Sequence, residues 1–236
     1  PTNAATVKTV TGVENVTLDG NGENYVIGSD GANVIIGGSG ADRIESGKGN
    51  DTVAPGLGID TVTLGAGTDT LSLTGIAAVA NRVSVTDFAT TADILGLDVD
   101  NTTVATAAGG TPIVEDEATA ANNGNGITYD LGAATATNTN AIDLVTLDTA
   151  VLTNLANADL SNSTTGVELL KALTQLGAGK TAASITLQNN ADKLYLAVDD
   201  GVDGYLYFVD AGVGNAVAQA AEILLVGTFT GDGDFG

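Results

Sequence analysis

The sequence that decides the fold reads GGSGADRIE (37–45), followed at once by SGKGNDTVA (46–54). In both stretches a glycine, an acidic residue and an aliphatic residue stand at fixed places within nine residues. The same glycine returns without slippage along the neighbouring chain, at Gly22, Gly31, Gly40, Gly49, Gly58 and Gly67. A strict period of this kind indicates a stacked, repetitive architecture.

Two further columns repeat in register with these glycines. Two residues after each glycine comes an aspartate or asparagine: Asn24, Asn33, Asp42, Asp51, Asp60 and Asp69. Two residues further on comes an aliphatic residue: Val26, Ile35, Ile44, Val53, Val62 and Leu71. Three matched columns make chance a poor explanation. The serious alternative is a β-solenoid that binds no metal.

Each part of the repeat has a physical role in a solenoid. Glycine permits the positive-φ backbone of a tight turn, and the aliphatic residue is the inward-facing centre of a short strand. Two nonapeptides make one coil, so successive turns lie on opposite edges and coils stack at about 4.8 Å. We therefore predict a mostly all-β chain. An N-terminal strand or cap (1–18) precedes a parallel β-roll of about three coils (19–72), and a β-rich domain with one short helix (73–236) follows.

The repeat resembles the RTX (repeat-in-toxin) nonapeptide GGxGxDxUx, a calcium-binding repeat of secreted bacterial proteins. The resemblance implies a calcium ion between repeats n and n+2 on one edge, held by turn carbonyls and two carboxylates. Ca²⁺ prefers such an all-oxygen cage. Carried onto this chain, the resemblance pairs Asp42 with Asp60 and Asp51 with Asp69. The turn glycines of these sites are Gly40, Gly49, Gly58 and Gly67.

This chain departs from the family pattern in two ways. The outer sites would use Asn24 with Asp42 and Asn33 with Asp51, and we expect them to be weaker because asparagine supplies a neutral oxygen. The first glycine of the family's pair is replaced by Ser46, Pro55 and Leu64 in later repeats. These changes affect individual turns and leave the roll itself as predicted.

The composition narrows the classes of function. The chain has 29 acidic and 7 basic residues, a formal net charge of -22, which repels nucleic acid and attracts cations. It has no Cys and no His, and therefore lacks thiolate ligands and the usual general base. A carboxylate pair would be the remaining catalytic route, and none stands in a recognisable motif. We predict that the chain is not an enzyme, and we expect no membrane insertion because no apolar run approaches about 20 residues.

Two segments after the roll carry further resemblances. RVSVTDFATTADILGLD (82–98) is similar to the segment that follows RTX rolls in type I secreted proteins, and Asp87 and Asp93 are the positions that it covers. The alternative for both aspartates is capping of strand ends and turns. The stretch EILLVGTFTGDGDFG (222–236) is similar to the C-terminal ends of type I secretion substrates, which implies a possible secretion signal there.

The rest of the chain reads as short strands and a helix. We predict strands at ITYDL (127–131) and IDLVTL (142–147), and a helix over 165–176 capped by Thr164 or Thr165. KLYLAV (193–198) and YLYFVD (205–210) flank a turn and predict an antiparallel pair with Tyr195, Tyr205 and Tyr207 on one face. The acidic turn with Asp199, Asp200 and Asp203 is either an ordinary turn or another calcium site.

The resemblance and the composition together predict the function. We expect a calcium-dependent structural module of a secreted bacterial cell-surface protein, either an S-layer subunit or an adhesin, which folds on calcium after export. The expected partners are calcium ions, the type I secretion machinery, and either further copies of the chain or cell-surface polysaccharide. The expected location is extracellular or at the cell surface. The alternative is a non-catalytic C-terminal export and folding module of a secreted RTX hydrolase.

Overall fold

The computed structural model describes residues 8–18, 20–74, 81–89, 92–98, 103–104, 127–128, 143–147, 160–174, 185–186, 193–200, 202–210 and 218–230. The chain divides into two compact units. The first comprises Pro1–Ile113 and Val226–Asp232, and the second comprises Val114–Leu225 and Gly233–Gly236. The predicted module boundaries at 18/19 and 72/73 stay a prediction.

The first unit is a parallel β-solenoid of about three turns, as predicted. One sheet has the order β1 (Lys8–Val13), β3 (Asn24–Gly28), β5 (Arg43–Glu45), β7 (Ile59–Thr63), β9 (Arg82–Val85) and β17 (Ile223–Thr230), the last from Val226 onward. The other has the order β11 (Thr103–Val104), β10 (Ile94–Asp98), β8 (Thr70–Thr74), β6 (Thr52–Ala54), β4 (Val34–Ile36) and β2 (Asn15–Thr17). Strands next to each other in sequence therefore alternate between the sheets through the roll.

The register confirms that two nonapeptides make one coil. Tyr25 pairs with Arg43, and Arg43 pairs with Thr61, each in parallel strands. Residues that pair between neighbouring strands of one sheet are therefore 18 residues apart in sequence. The hydrogen bond between the turns of Asp42 and Asp60 spans the same separation. We call residues 19–36, 37–54 and 55–72 the first, second and third coils.

The aliphatic column is the core of the roll. All six residues predicted to point inward are 0 % exposed: Val26, Ile35, Ile44, Val53, Val62 and Leu71. Because successive side chains of a strand point to opposite faces, the residues that flank them face away from the core, including the exposed apolar pair Val34 and Ile36. Burying each such side chain stabilises the roll by about 1.5–3 kcal/mol relative to exposing it.

The register changes where the repeat ends. Thr61 pairs with Ser84, and Thr70 pairs with Ile94, so the step from one coil to the next becomes longer than in the repeats. The segment between β9 and β10 carries Asp87, Phe88 and Asp93. Phe88 is buried and meets the ring of Phe229 edge-on, with centroids 5.3 Å apart. The roll therefore ends against aromatic packing within its own unit.

The second unit contains the predicted antiparallel pair. β15 (Lys193–Asp199) pairs antiparallel with β16 (Asp203–Asp210), and β13 (Asp143–Leu147) joins β15 in parallel. A separate short pair joins β12 (Ile127–Thr128) to β14 (Ile185–Thr186). The helix α1 spans Val167–Thr174 and two 3-10 turns span Leu160–Asn162 and Ala220–Glu222. No helix in the described ranges is long and apolar enough to cross a membrane.

Two details of this unit differ from the prediction. Tyr195 pairs with Phe208, so it lies on the opposite face of the sheet from Tyr205 and Tyr207, because directly paired residues share a face. The expectation that the three tyrosines share one face is therefore wrong. The Leu170 N–H donates to the carbonyl of Gly166 (2.8 Å), so Gly166 caps the helix instead of a threonine.

Candidate metal centre

The structure brings the predicted Asx residues together in pairs. On what we call the first edge, the backbone N–H of Asp42 donates to Asp60 Oδ1 at 2.8 Å, and Asn24 N–H donates to Asp42 Oδ1 at 2.9 Å. On the second edge, Asp51 N–H donates to Asp69 Oδ1 and Asn33 N–H to Asp51 Oδ1, both at 2.8 Å. Each carboxylate thus reaches back to the coil before it. That these residues bind metal stays a prediction.

The aspartates are buried although they carry like charges. Asp42, Asp51, Asp60 and Asp69 are at most 2 % exposed. Asp51 Oδ2 and Asp69 Oδ2 have no hydrogen-bond partner among the described residues. Buried polar atoms are nearly always paired, and a buried carboxylate oxygen without a donor is costly. The two carboxylates of the second edge therefore lack a compensating positive charge among the described residues.

The predicted turn glycines let the coils approach each other closely. A β-carbon on Gly67 would lie 1.8 Å from the carbonyl oxygen of Gly49, and one on Gly58 would lie 2.3 Å from that of Gly40. Gly49 and Gly58 also have positive φ angles, of 116° and 125°. Glycine is the residue that fits this geometry. As a result, backbone carbonyl oxygens lie along the same edges as the aspartates.

The donor set fits calcium. Nowhere in the described part of the chain do three or more His, Cys, Asp or Glu side chains form a group that could hold a metal. A site on either edge would therefore combine two carboxylates with backbone carbonyls. Ca²⁺ takes six to eight oxygen ligands of mixed type, whereas Zn²⁺ and other transition metals favour nitrogen and sulfur.

Burial perturbs the acidities of the pairs. Burial of its carboxylate raises the pKa of Asp60 to about 7; a hydrogen bond from Asp42 lowers it and the charge of Asp42 raises it. Burial likewise raises the pKa of Asp69 to about 6, and the charges of Asp93, Asp51 and Asp87 add to this effect. Near neutral pH Asp60 therefore holds a proton for part of the time, and a bound cation would favour its ionised form.

We expect calcium binding to weaken on acidification. In the folded roll Asp60 binds a proton below pH about 7, whereas its unfolded pKa is 3.8. The calcium-free roll should therefore gain stability as pH falls from about 7 towards 4, because the folded state binds more protons there. Calcium must displace those protons, so its affinity for the Asp42–Asp60 pair at pH 6 should be about tenfold lower than at pH 8. Calorimetric titration at both pH values measures this ratio, and equal affinities would contradict the prediction.

Asp87 and Asp93 cap the end of the roll. Asp93 Oδ1 accepts the N–H of Asp69 at 3.0 Å, which repeats the contact between successive Asx residues at a separation of 24 instead of 18. Its Oδ2 accepts the N–H of Ala89 at 2.8 Å. Asp87 accepts the N–H groups of Leu64 and Gly65. Of the two interpretations left open by the sequence, these contacts are those of capping.

The first edge ends on a residue that the sequence analysis missed. Asn81 Oδ1 accepts the N–H of Gly58 at 3.0 Å. The sequence did contain a signal for this role, because Asn81 directly precedes β9, the strand that takes the place of the next repeat. The two edges of the roll therefore end differently, on a neutral amide and on two carboxylates.

Of the other acidic segments, the structure describes the turn around Asp200. Asp200 accepts the N–H groups of Val202 and Asp203 and the hydroxyl of Tyr205, the contacts of an ordinary acidic turn. The acidic residues 115–117 and the terminal residues 231–236 lie outside the described residues. Calcium at the turn with Asp199, Asp200 and Asp203 and a secretion signal at 222–236 stay predictions.

Comparison with known proteins agrees with this geometry. The family model described as RTX calcium-binding nonapeptide repeat (4 copies) matches residues 18–53 and 56–74. No curated protein matches the chain. No solved structure matches it either. RTX repeats bind calcium ions and are typical of secreted proteins. From its repeat, its solenoid and its paired buried carboxylates, the segment 18–74 is a calcium-binding β-roll of the RTX nonapeptide family.

Proposed function

We propose that this chain is a calcium-dependent structural module of a secreted bacterial cell-surface protein, an S-layer subunit or an adhesin, without catalytic activity of its own. The observation that carries the proposal is the pair of buried carboxylate oxygens, Asp51 Oδ2 and Asp69 Oδ2, which have no hydrogen-bond partner among the described residues. Such a pair opposes folding until a cation neutralises it.

The mechanism is folding coupled to ion binding. Stacking one coil on the next brings the carboxylates of Asp42 and Asp60 to one edge and those of Asp51 and Asp69 to the other. Calcium supplies the missing positive charge, and extracellular modules bind it at about 10⁻⁴–10⁻³ M. Binding free energy then becomes folding free energy. The roll should therefore remain unfolded inside the cell, where calcium is scarce, and fold after export.

The acidic surface supports a role in assembly. A net charge of -22 keeps copies apart at low ionic strength. Sodium screens that repulsion over a Debye length of about 10 Å at 0.1 M, whereas a divalent ion can also bridge carboxylates of two copies. Ordered assembly should therefore respond to calcium specifically. The alternative, an export and folding module of a secreted hydrolase, is supported by the same roll and requires no self-assembly.

One calcium titration tests both parts of the proposal. Circular dichroism should show strand content rising to a plateau at millimolar calcium, with a much smaller response to magnesium, which demands a tight octahedron. Light scattering of the same samples should show ordered assembly in calcium but not in sodium chloride of equal ionic strength. A roll that is equally folded in excess chelator would refute the calcium dependence. A folded protein that stays monomeric in calcium would favour the hydrolase module.

A further inference from the structure

The side chain of Asn33 is arranged as a donor towards the oxygen atoms of its turn. Its Nδ2 donates to the carbonyl oxygens of Gly31 and Ser29 and, at 3.1 Å, to Asp51 Oδ1. Its Oδ1 accepts the N–H of Ser29 at 3.0 Å. Reversing the amide would set an oxygen against two carbonyls and a carboxylate, so these partners determine its orientation. The residue is buried, at 1 % exposed.

Asn24 repeats this arrangement on the first edge. Its Nδ2 donates to the carbonyl oxygen of Gly22 at 2.8 Å and to Asp42 Oδ1 at 2.7 Å. In both turns the side-chain nitrogen of the asparagine therefore lies between two oxygen atoms. One belongs to the carbonyl two residues earlier in the turn, and the other to the carboxylate of the next coil. Turn carbonyls and carboxylates are also the ligands that a calcium ion between two coils would take.

The contrast with the second and third coils is chemical. Asp51 stands 18 residues after Asn33, at the same place in the repeat. Where Asn33 carries an NH₂ group with partial positive charge, Asp51 and Asp69 each carry an oxygen without a donor in the described structure. Two carboxylates need a positive charge between them. Where an amide faces a carboxylate, the N–H hydrogens of the amide already lie between the carboxylate oxygen and the turn carbonyl.

We propose that the side-chain amides of Asn24 and Asn33 take the place of calcium in the first coil. This inference rests on the proposed calcium-dependent function and changes its stoichiometry. The roll then takes calcium between Asp42 and Asp60 and between Asp51 and Asp69, but not at the two outer pairs. The first coil becomes a calcium-independent surface on which the second coil can stack.

The decisive variant is Asn33→Asp. Aspartate removes the amide donor and creates a second carboxylate beside Asp51, which reproduces the Asp51–Asp69 arrangement one coil earlier. We expect Asn33→Asp to bind one more calcium ion per chain than the unchanged protein. Equilibrium dialysis with radioactive calcium measures the count, and circular dichroism should show folding that depends more steeply on calcium concentration, because one more ion binds as the roll folds.

A matched control comes from the neighbouring turn. Asn50 is exposed and adjacent to Asp51, and its Oδ1 accepts the N–H of Thr68 at 3.0 Å. Asn50→Asp adds the same charge to the same edge and keeps that acceptor, so its ion count should equal that of the unchanged protein. An equal gain in both variants would mean that added charge alone recruits the ion, which would overturn the proposal.

A second variant keeps the test decisive if Asn33→Asp folds poorly. Asn33→Ala removes the amide, and by our proposal it leaves the ion count unchanged while raising the calcium concentration at which the roll folds. If Asn33 is itself a ligand, the alanine variant must lose an ion, and the proposal is wrong. An unchanged protein that binds no calcium at all would instead refute the proposed function, a result that the same dialysis separates from the others.

Discussion

Replacing Gly58 with alanine should prevent the third coil from stacking on the second. A β-carbon there would lie 2.3 Å from the carbonyl oxygen of Gly40, and the backbone has a φ of +125°, which L side chains rarely adopt. The strained backbone alone costs about 1–3 kcal/mol, and the displaced carbonyl adds to it. We expect the free energy of unfolding in saturating calcium to fall by about 3 kcal/mol or more. Urea titration followed by circular dichroism measures the change.

Gly22→Ala is the matched control for this experiment. Gly22 holds the same place in the repeat and lies on the same edge, but a β-carbon there meets nothing within 4 Å. Its substitution should change the free energy of unfolding by no more than about 0.5 kcal/mol. Similar losses in both variants would show that the close approach of the coils is not what requires glycine.

Asp51→Asn should reduce calcium affinity on the second edge by at least about 30-fold, because it turns the Asp51–Asp69 pair into an amide–carboxylate pair like Asn33–Asp51. The Asp51 carboxylate accepts the N–H of Asn33, and the Asp51 N–H donates to Asp69 Oδ1, so the residue links three coils. An amide keeps the shape of the side chain but removes the charge, and a charge-assisted contact contributes about 2 kcal/mol. Calorimetric calcium titration reports the loss, and circular dichroism should show the folding midpoint moving to higher calcium.

Asp30→Asn separates this local effect from the general charge of the chain. Asp30 lies on the same edge and forms an exposed ion pair with Lys48 at 2.7 Å. Removing its charge changes the net charge by the same amount, and surface ion pairs contribute little. Its affinity for calcium should change less than twofold. If Asp51→Asn and Asp30→Asn lose calcium affinity equally, the overall negative charge of the chain governs binding, and the Asp51–Asp69 pair does not.

The strict period made the roll and its pairs predictable. Because the repeat never slips between Gly22 and Gly67, counting 18 residues along the chain is enough to identify the partners of Asp42 and Asp51. The inward aliphatic column followed from the alternation of side chains in a strand, and all six residues are buried. Local pattern and global packing agree throughout this part of the chain.

Other features depended on geometry that the sequence does not contain. An asparagine side chain has both a donor and an acceptor. The sequence alone therefore could not predict that the Asn33 nitrogen donates to the turn carbonyls. The face of Tyr195 depends on the register of its hairpin, and a shift of one residue moves every side chain to the other face. Asp93 lies 24 residues after Asp69, outside the period that identified the others.

The alternation of turns between two edges limits how such a roll can change its length. An insertion or deletion of one nonapeptide would move every later aspartate to the opposite edge, but residues 18 apart, such as Asp51 and Asp69, would still pair there. Asn81 and the Asp87–Asp93 segment would move together with the third coil that they contact, so the end of the roll would keep its contacts. Gains and losses of whole nonapeptides therefore preserve the pairing, whereas a change of any other length would break the separation of 18 residues on which every pair depends.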